Sequence, residues 1–171
     1  MVHRRTFQLC LQLPRVSAAH HAPSPCSVPS RAMRLLQLRQ SDGDEVRSAV
    51  VVCDDEEHEL SGSKGTAHFV FSWPETKRQS SLDVVQIKKV TQPAYTADDS
   101  GKYVAVVAFD CRGCVPVAYH PRDEWTVVSS GGSRFEDVDL SEKEWADVCE
   151  KSNDPVTVME LDWRFEHHKE K

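Results

Sequence analysis

The residues with the clearest chemical potential lie in the stretch FDCRGCVPVAYHP, where Cys111 and Cys114 stand at C-x-x-C spacing in a strand-like run. Three chemistries use such a pair. A redox dithiol needs its first thiolate at a helix N-terminus, which lowers the thiol pKa. Here Val115-Pro116-Val117 follows, and strand-like segments flank the motif on both sides, so the helix is missing. A structural zinc needs four ligands, usually two C-x-x-C pairs or one pair with histidines. The chain holds no second C-x-x-C, and spacing assigns none of Cys53, Cys149, His58, His68 or His120 to a shell. A thiolate–imidazole nucleophile from Cys111 or Cys114 with His120 would need a third orienting group, which no motif marks. The commoner role of a buried strand cysteine is that of a small apolar side chain. The acidic run DDEEHE (Asp54 to Glu59) lacks the pattern and glycine of a calcium loop and reads as a solvated turn. His167-His168 reads as solvent-exposed at a charged terminus, and no phosphate loop or dinucleotide fingerprint is present.

The elements that must position these residues are strands. MRLLQLRQ is a short apolar strand that stops at the turn signal SDGD, and EVRSAVVVC is a β-branched run ending in the acidic turn. GTAHFVFSW alternates and breaks at Pro74; SSLDVVQIKKV is another strand; KYVAVVAFDC is the strongest candidate for a buried one. VPVAYHP follows a turn at Arg112-Gly113, EWTVVSS runs into GGS, and PVTVMELDWRF closes the chain. Only SEKEWADVCEK reads as helix, over residues 141–151: Ser141 and Glu144 form a capping box, and Trp145, Val148 and Cys149 make one apolar stripe. Many short strands with one short helix imply an all-β sandwich or barrel of antiparallel strands.

Composition narrows the function classes. The chain has 171 residues with a formal net charge of −6, which argues against a general nucleic-acid binder. No apolar run approaches the roughly 20 residues of a membrane span. Six scattered cysteines without a secretory leader suit thiols in a reducing compartment, so a cytoplasmic protein is expected. Residues 1–32 carry Arg4, Arg5, Arg15 and Arg31 but no acid, and Pro23, Pro25 and Pro29 crowd their second half. They read as a disordered extension or an upstream stretch before a start at Met33; the alternative is a mitochondrial transit peptide. A single β domain is then expected over 33–171, monomeric, with protein partners unspecified.

From Met33 onward, and above all from Ser61, the sequence resembles the eukaryotic CXXC-motif-containing zinc-binding proteins. The resemblance rests on SGSKGTAHFVFSW, YTADD, FDCRGCVPVAYHP, FEDVDLSEKEWADVCEK and VTVMELDWRF. Cys111, Arg112, Gly113, Pro116 and Val117 match one family motif, and Glu142, Lys143, Glu144 and Trp145 match another. The resemblance implies an all-β fold, no established reaction, and a zinc held by two C-x-x-C pairs in the N-terminal half. Here the second pair falls on Trp73 and Thr76. The first would follow RSAVVVC, with Cys53 opposite one ligand and Glu56 opposite the other, in a segment that looks deleted. Cys111 belongs to a different motif, whose role is packing. The expectation is a non-enzymatic protein of this family without a cofactor; the alternative is a zinc site rebuilt from Cys53, Cys111 and Cys114.

Overall fold

The computed structural model describes residues 4–13, 26–27, 34–92, 94–122, 125–129 and 131–169. It is all-β, with one 3-10 turn, and every strand pair among the described residues is antiparallel. The strands are β1 (Arg4–Gln12), β2 (Cys26–Ser27), β3 (Arg34–Gln40), β4 (Val46–Val52), β5 (His58–Glu59), β6 (Thr66–Ala67), β7 (Phe69–Ser72) and β8 (Gln79–Val85). After β9 (Ala94–Tyr95) come β10 (Val104–Arg112), β11 (Cys114–His120), β12 (Trp125–Val128), β13 (Arg134–Val138), β14 (Trp145–Cys149), β15 (Asp154–Val158) and β16 (Asp162–His168). A five-stranded sheet runs β16-β1-β10-β8-β7, a three-stranded sheet β11-β3-β4 and a four-stranded sheet β13-β12-β2-β9; β14-β15 and β5-β6 are separate hairpins.

The sheets share one core. Alternate residues Phe7, Leu9 and Leu11 of β1 turn inward, as period-two strands require, and join Leu36 and Leu38 of β3, Leu82 of β8, Phe109 of β10 and Tyr119 of β11. β10 is buried along nearly its whole length, which its unbroken apolar run anticipates. At its end the chain leaves the large sheet and enters the small one. The corner is Arg112-Gly113, and Gly113 has a φ of 74°, a left-handed conformation in which a Cβ is strained.

Two sequence expectations fail here. The first is a disordered extension over 1–32, with the domain starting at Met33. Instead Arg4–Gln12 forms an interior strand of the main sheet, hydrogen-bonded to β10 on one side and β16 on the other. TFQLCLQL alternates apolar and polar positions, and the burial of Phe7, Leu9, Leu11 and Leu13 offsets the ordering entropy. Cys26–Ser27 also pairs, between β12 and β9. The rest of the expected extension lies outside the described residues.

The second is the helix expected over 141–151, which is a β-hairpin. Ser141 does not cap a helix; its N–H donates to Asp139 Oδ1 at 2.8 Å, and Lys143 takes a φ of 65° that ends any helical turn. Trp145–Cys149 then pairs with Asp154–Val158, Trp145 opposite Val158 and Cys149 opposite Asp154. The β-branched run Val156-Thr157-Val158 supplies a partner strand, and tertiary pairing overrides a weak local helix preference.

Candidate functional site

The C-x-x-C pair flanks the corner between the two sheets. Cys111 ends the buried part of β10 and Cys114 begins β11; they are 0 % and 2 % exposed. Cys114 Sγ lies 3.6 Å from the Ser81 carbonyl, and Cys111 Sγ lies 3.9 Å from that of Phe109. The Cys111 thiol is held well above its ordinary pKa, first by its hydrogen bond with Cys114 and then by burial. This is opposite to what a nucleophile or redox thiolate needs. His120 is exposed at the far end of β11.

Two turns converge beside this corner. The β3–β4 turn is closed by Gln40 N–H donating to Glu45 O at 2.9 Å, and the β7–β8 turn by Trp73 N–H donating to Arg78 O at 3.0 Å. Each turn thus begins on the last residue of, or just after, a strand and closes five residues on. Ser41 N–H donates to Gly113 O at 3.1 Å, docking the first turn on the corner, and Gln40 is the strand partner of Cys114. The two turns then touch. Gln40 Nε2 donates to Thr76 Oγ1 at 3.0 Å, and Glu75 N–H donates to Glu45 Oε1 at 3.1 Å. Beneath them Trp73, 1 % exposed, donates its indole N–H to Ser80 Oγ at 2.8 Å. The recess left between Gln40, Trp73, Ser80 and Gly113 is about 20 Å³, enough for a ligand the size of water and no larger.

Residues 27–166 match the family described as CXXC motif containing zinc binding protein, eukaryotic. The chain belongs to this family. It is 35% identical over 123 residues to a UPF0587 protein of Nematostella vectensis, covering 72% of this chain and 76% of that one. To a UPF0587 protein of Drosophila melanogaster it is 44% identical over 89 residues, 52% of this chain and 53% of that one. To the CXXC motif containing zinc binding protein of Mus musculus it is 33% identical over 107 residues, 62% of this chain and 65% of the mouse protein. The chain therefore matches these curated relatives over about half to three quarters of their length. Its fold is that of a hypothetical protein from Plasmodium falciparum, with a TM-score of 0.82 at 20% identity, covering 95% of this chain and 99% of that one. C1orf123 superposes with a TM-score of 0.78 at 22% identity over 94% and 98% of the two chains.

That coverage corrects a second reading of the zinc region. No half of the fold is deleted, since 98% or more of each solved structure has a counterpart here. The turn that faces Trp73 and Thr76 is the one at Gln40 and Gly43, which have the same three-residue separation. Cys53 lies past the other end of β4, on the order of 20 Å away by strand rise. The signal is present in the sequence: QSDG follows RLLQLR as WPET follows FVFS, a C-x-x-C spacing after a strand in both cases.

The four facing positions do not fit zinc. Zinc takes thiolate, imidazole or carboxylate ligands. Here the side chains are a carboxamide, a hydrogen, an indole whose N–H can only donate, and a hydroxyl. The Gln40 side chain also fills the space a ligand at position 43 would need, since an ideal Cβ on Gly43 would stand 2.3 Å from Gln40 Oε1. Elsewhere, the described His, Cys, Asp and Glu residues form no group of three or more that could hold a metal ion, Cys53, Cys111 and Cys114 included. His58 is exposed with Nε2 at 3.3 Å from Glu56 Oε2, and His68 Nδ1 accepts from Val84 N–H at 2.8 Å. His167 and His168 close β16 at the end of the main sheet. Among the described residues no helix is long and apolar enough to cross a membrane.

Proposed function

We propose that this chain is a non-enzymatic β-domain protein of the zinc-binding family, working through protein contacts, in which a metal-free junction replaces the zinc. The carrying observation is the Gln40 Nε2 to Thr76 Oγ1 bond. It links the two turns at the positions from which ligands would converge. Gly43 leaves room for the Gln40 carboxamide, Trp73 fills the volume below, and Glu45 receives the Glu75 N–H. Each substitution favours the others, because a carboxamide in this position requires the glycine and a hydroxyl partner. The non-enzymatic reading draws on the same places: the recess at the junction is too small for a substrate, and the thiol at Cys111 is held in its protonated form.

The test is elemental analysis of the purified protein, paired with melting curves in chelator and in added zinc. The expected result is no stoichiometric zinc and the same melting temperature in both, since a metal that is not part of the fold adds no folding free energy. About one zinc per chain, lost together with stability on Cys111→Ser or Cys114→Ser, would instead establish a shell rebuilt around the corner cysteines.

A further inference from the structure

The outer strand of a sheet presents unpaired N–H and C=O groups, a template for another strand, and folded chains blunt such edges by shortness, bulges or proline. The three larger sheets end on β16 and β7, β11 and β4, and β13 and β9. Five of these are blunted. β7 and β9 have four and two residues, and β11 carries Pro116 with a register shift beside it. β4 and β13 are interrupted by left-handed residues, Ala49 at a φ of 55° and Asp137 at a φ of 54°. β16 is the exception. Its seven residues include no proline and no positive φ, and among the described residues only β1 pairs with it. Its side chains are also arranged symmetrically about Phe165: Arg164 is balanced by Glu166, Trp163 by His167 and Asp162 by His168.

We propose that two copies of this chain pair through β16, antiparallel and centred on Phe165, joining two five-stranded sheets edge to edge in place of the monomer expected from the sequence. A two-fold axis at Phe165 sets Arg164 opposite Glu166 of the second copy and Asp162 opposite His168, each pair occurring twice. These four residues share one face of the strand, since alternate side chains point the same way. On the other face Phe165 meets its own copy and Trp163 meets His167, and both Trp163 and Phe165 are only partly covered by the core. Moving the axis by one residue sets Arg164 or Glu166 against itself, and like charges directly opposite are destabilising, so the register is specified. The Arg164–Glu166 ion pair within the strand does not oppose this. Its side chains are 51 % and 43 % exposed, so it contributes little and each can turn to the partner strand. Tyr103 donates to Asp162, and Gln8 Nε2 lies 2.6 Å from His168 Nδ1, which holds both end groups in place before a partner arrives. One strand pair is a small interface, so the dimer is reversible and concentration-dependent.

Sedimentation of the full chain from micromolar to near-millimolar concentration tests this, with circular dichroism to confirm that each variant keeps its fold. The expected result is a monomer–dimer equilibrium that weakens as salt is added. Arg164→Glu and Glu166→Arg each set like charges opposite one another twice per dimer, and each should weaken it by about tenfold or more. Mixing these two variants should restore the dimer as a one-to-one pair, because one strand then carries two acids and the other two bases. Both changes in a single chain should restore it as well, since that strand is again its own complement. A chain that stays monomeric throughout would overturn the proposal and leave the β16 charges as protection of an edge. So would a dimer indifferent to the single variants, or a mixture and a double variant that both remain monomeric.

Discussion

Cys149 shows how little of a thiol's chemistry depends on a motif. It is 1 % exposed and belongs to the hydrophobic core, but a serine-rich turn lies against its sulfur. Ser129 Oγ at 3.4 Å and Ser133 Oγ at 3.2 Å both reach its sulfur, and with Ser152 they lower its pKa to about 6 from the ordinary 9.0. A thiol whose folded pKa is depressed stabilises the fold above its unfolded pKa, and that contribution is lost as pH falls through the folded value. Stability should therefore rise with pH between about 6 and 9. Ser133→Ala, by removing one donor, should move the thiolate absorbance transition upward and flatten that rise; an unchanged transition would show that the serines do not stabilise the thiolate. Cys10 is the converse case, pushed up to about 11 mainly by burial. The two aromatic residues singled out by chemistry and by pattern differ in the same way. Trp73 is buried and its N–H is satisfied, so Trp73→Ala should cost about 3–5 kcal/mol. Trp145 is half-buried on a hairpin, edge-to-face with Phe135 at 5.1 Å, and Trp145→Ala should cost only about 1–2 kcal/mol. Urea denaturation of both variants would reveal whether that order holds.

At the scale of elements, β1 is the strand on which the main sheet depends. Removing it would expose two strand edges and the inward faces of Phe7, Leu9, Leu11 and Leu13 at once. Deletion of residues 1–13 should therefore leave a chain without a cooperative thermal transition, and a truncated protein that melts like the full one would refute this. Most strands are legible because they carry their own signal. KYVAVVAFDC, RLLQLRQ and FVFS are β-branched or alternating and end at glycine, proline or acidic turns, and each is found where its pattern puts it. β1 is obscured by the proline-rich composition downstream of Gln12, which masks the alternating segment before it. β14 is ambiguous for a physical reason: Trp145, Val148 and Cys149 satisfy a helical stripe, while Trp145, Asp147 and Cys149 form an equally good strand face, and only the partner at Val156–Val158 decides between them.

At the scale of the whole molecule, the junction between two turns joins the five-stranded and three-stranded sheets beside the Gly113 corner, and a metal is one of several ways to make such a junction. The Trp73 and Thr76 half is legible in the sequence as a departure from a C-x-x-C register. The Gln40 and Gly43 half shows there only as a strand followed by a turn of the same spacing; neither residue is a metal ligand, so it takes their contact across space to relate them to the other turn. If the junction is a replacement and the scaffold around it is otherwise intact, the scaffold should accept the metal again. Gln40→Cys, Gly43→Cys, Trp73→Cys and Thr76→Cys together remove the carboxamide that blocks position 43 and present four thiols from two facing turns. Without metal this variant should be markedly less stable than the parent, because it loses the buried indole and both cross-turn side-chain partners. With zinc it should bind about one equivalent tetrahedrally and melt at a higher temperature than its own metal-free form, binding free energy being folding free energy in such a site. Leaving Gln40 in place and changing the other three should abolish the gain, since the side chain introduced by Gly43→Cys would then collide with the carboxamide. Zinc-independent melting of the four-cysteine variant would mean that the two turns do not converge as ligand-bearing turns must.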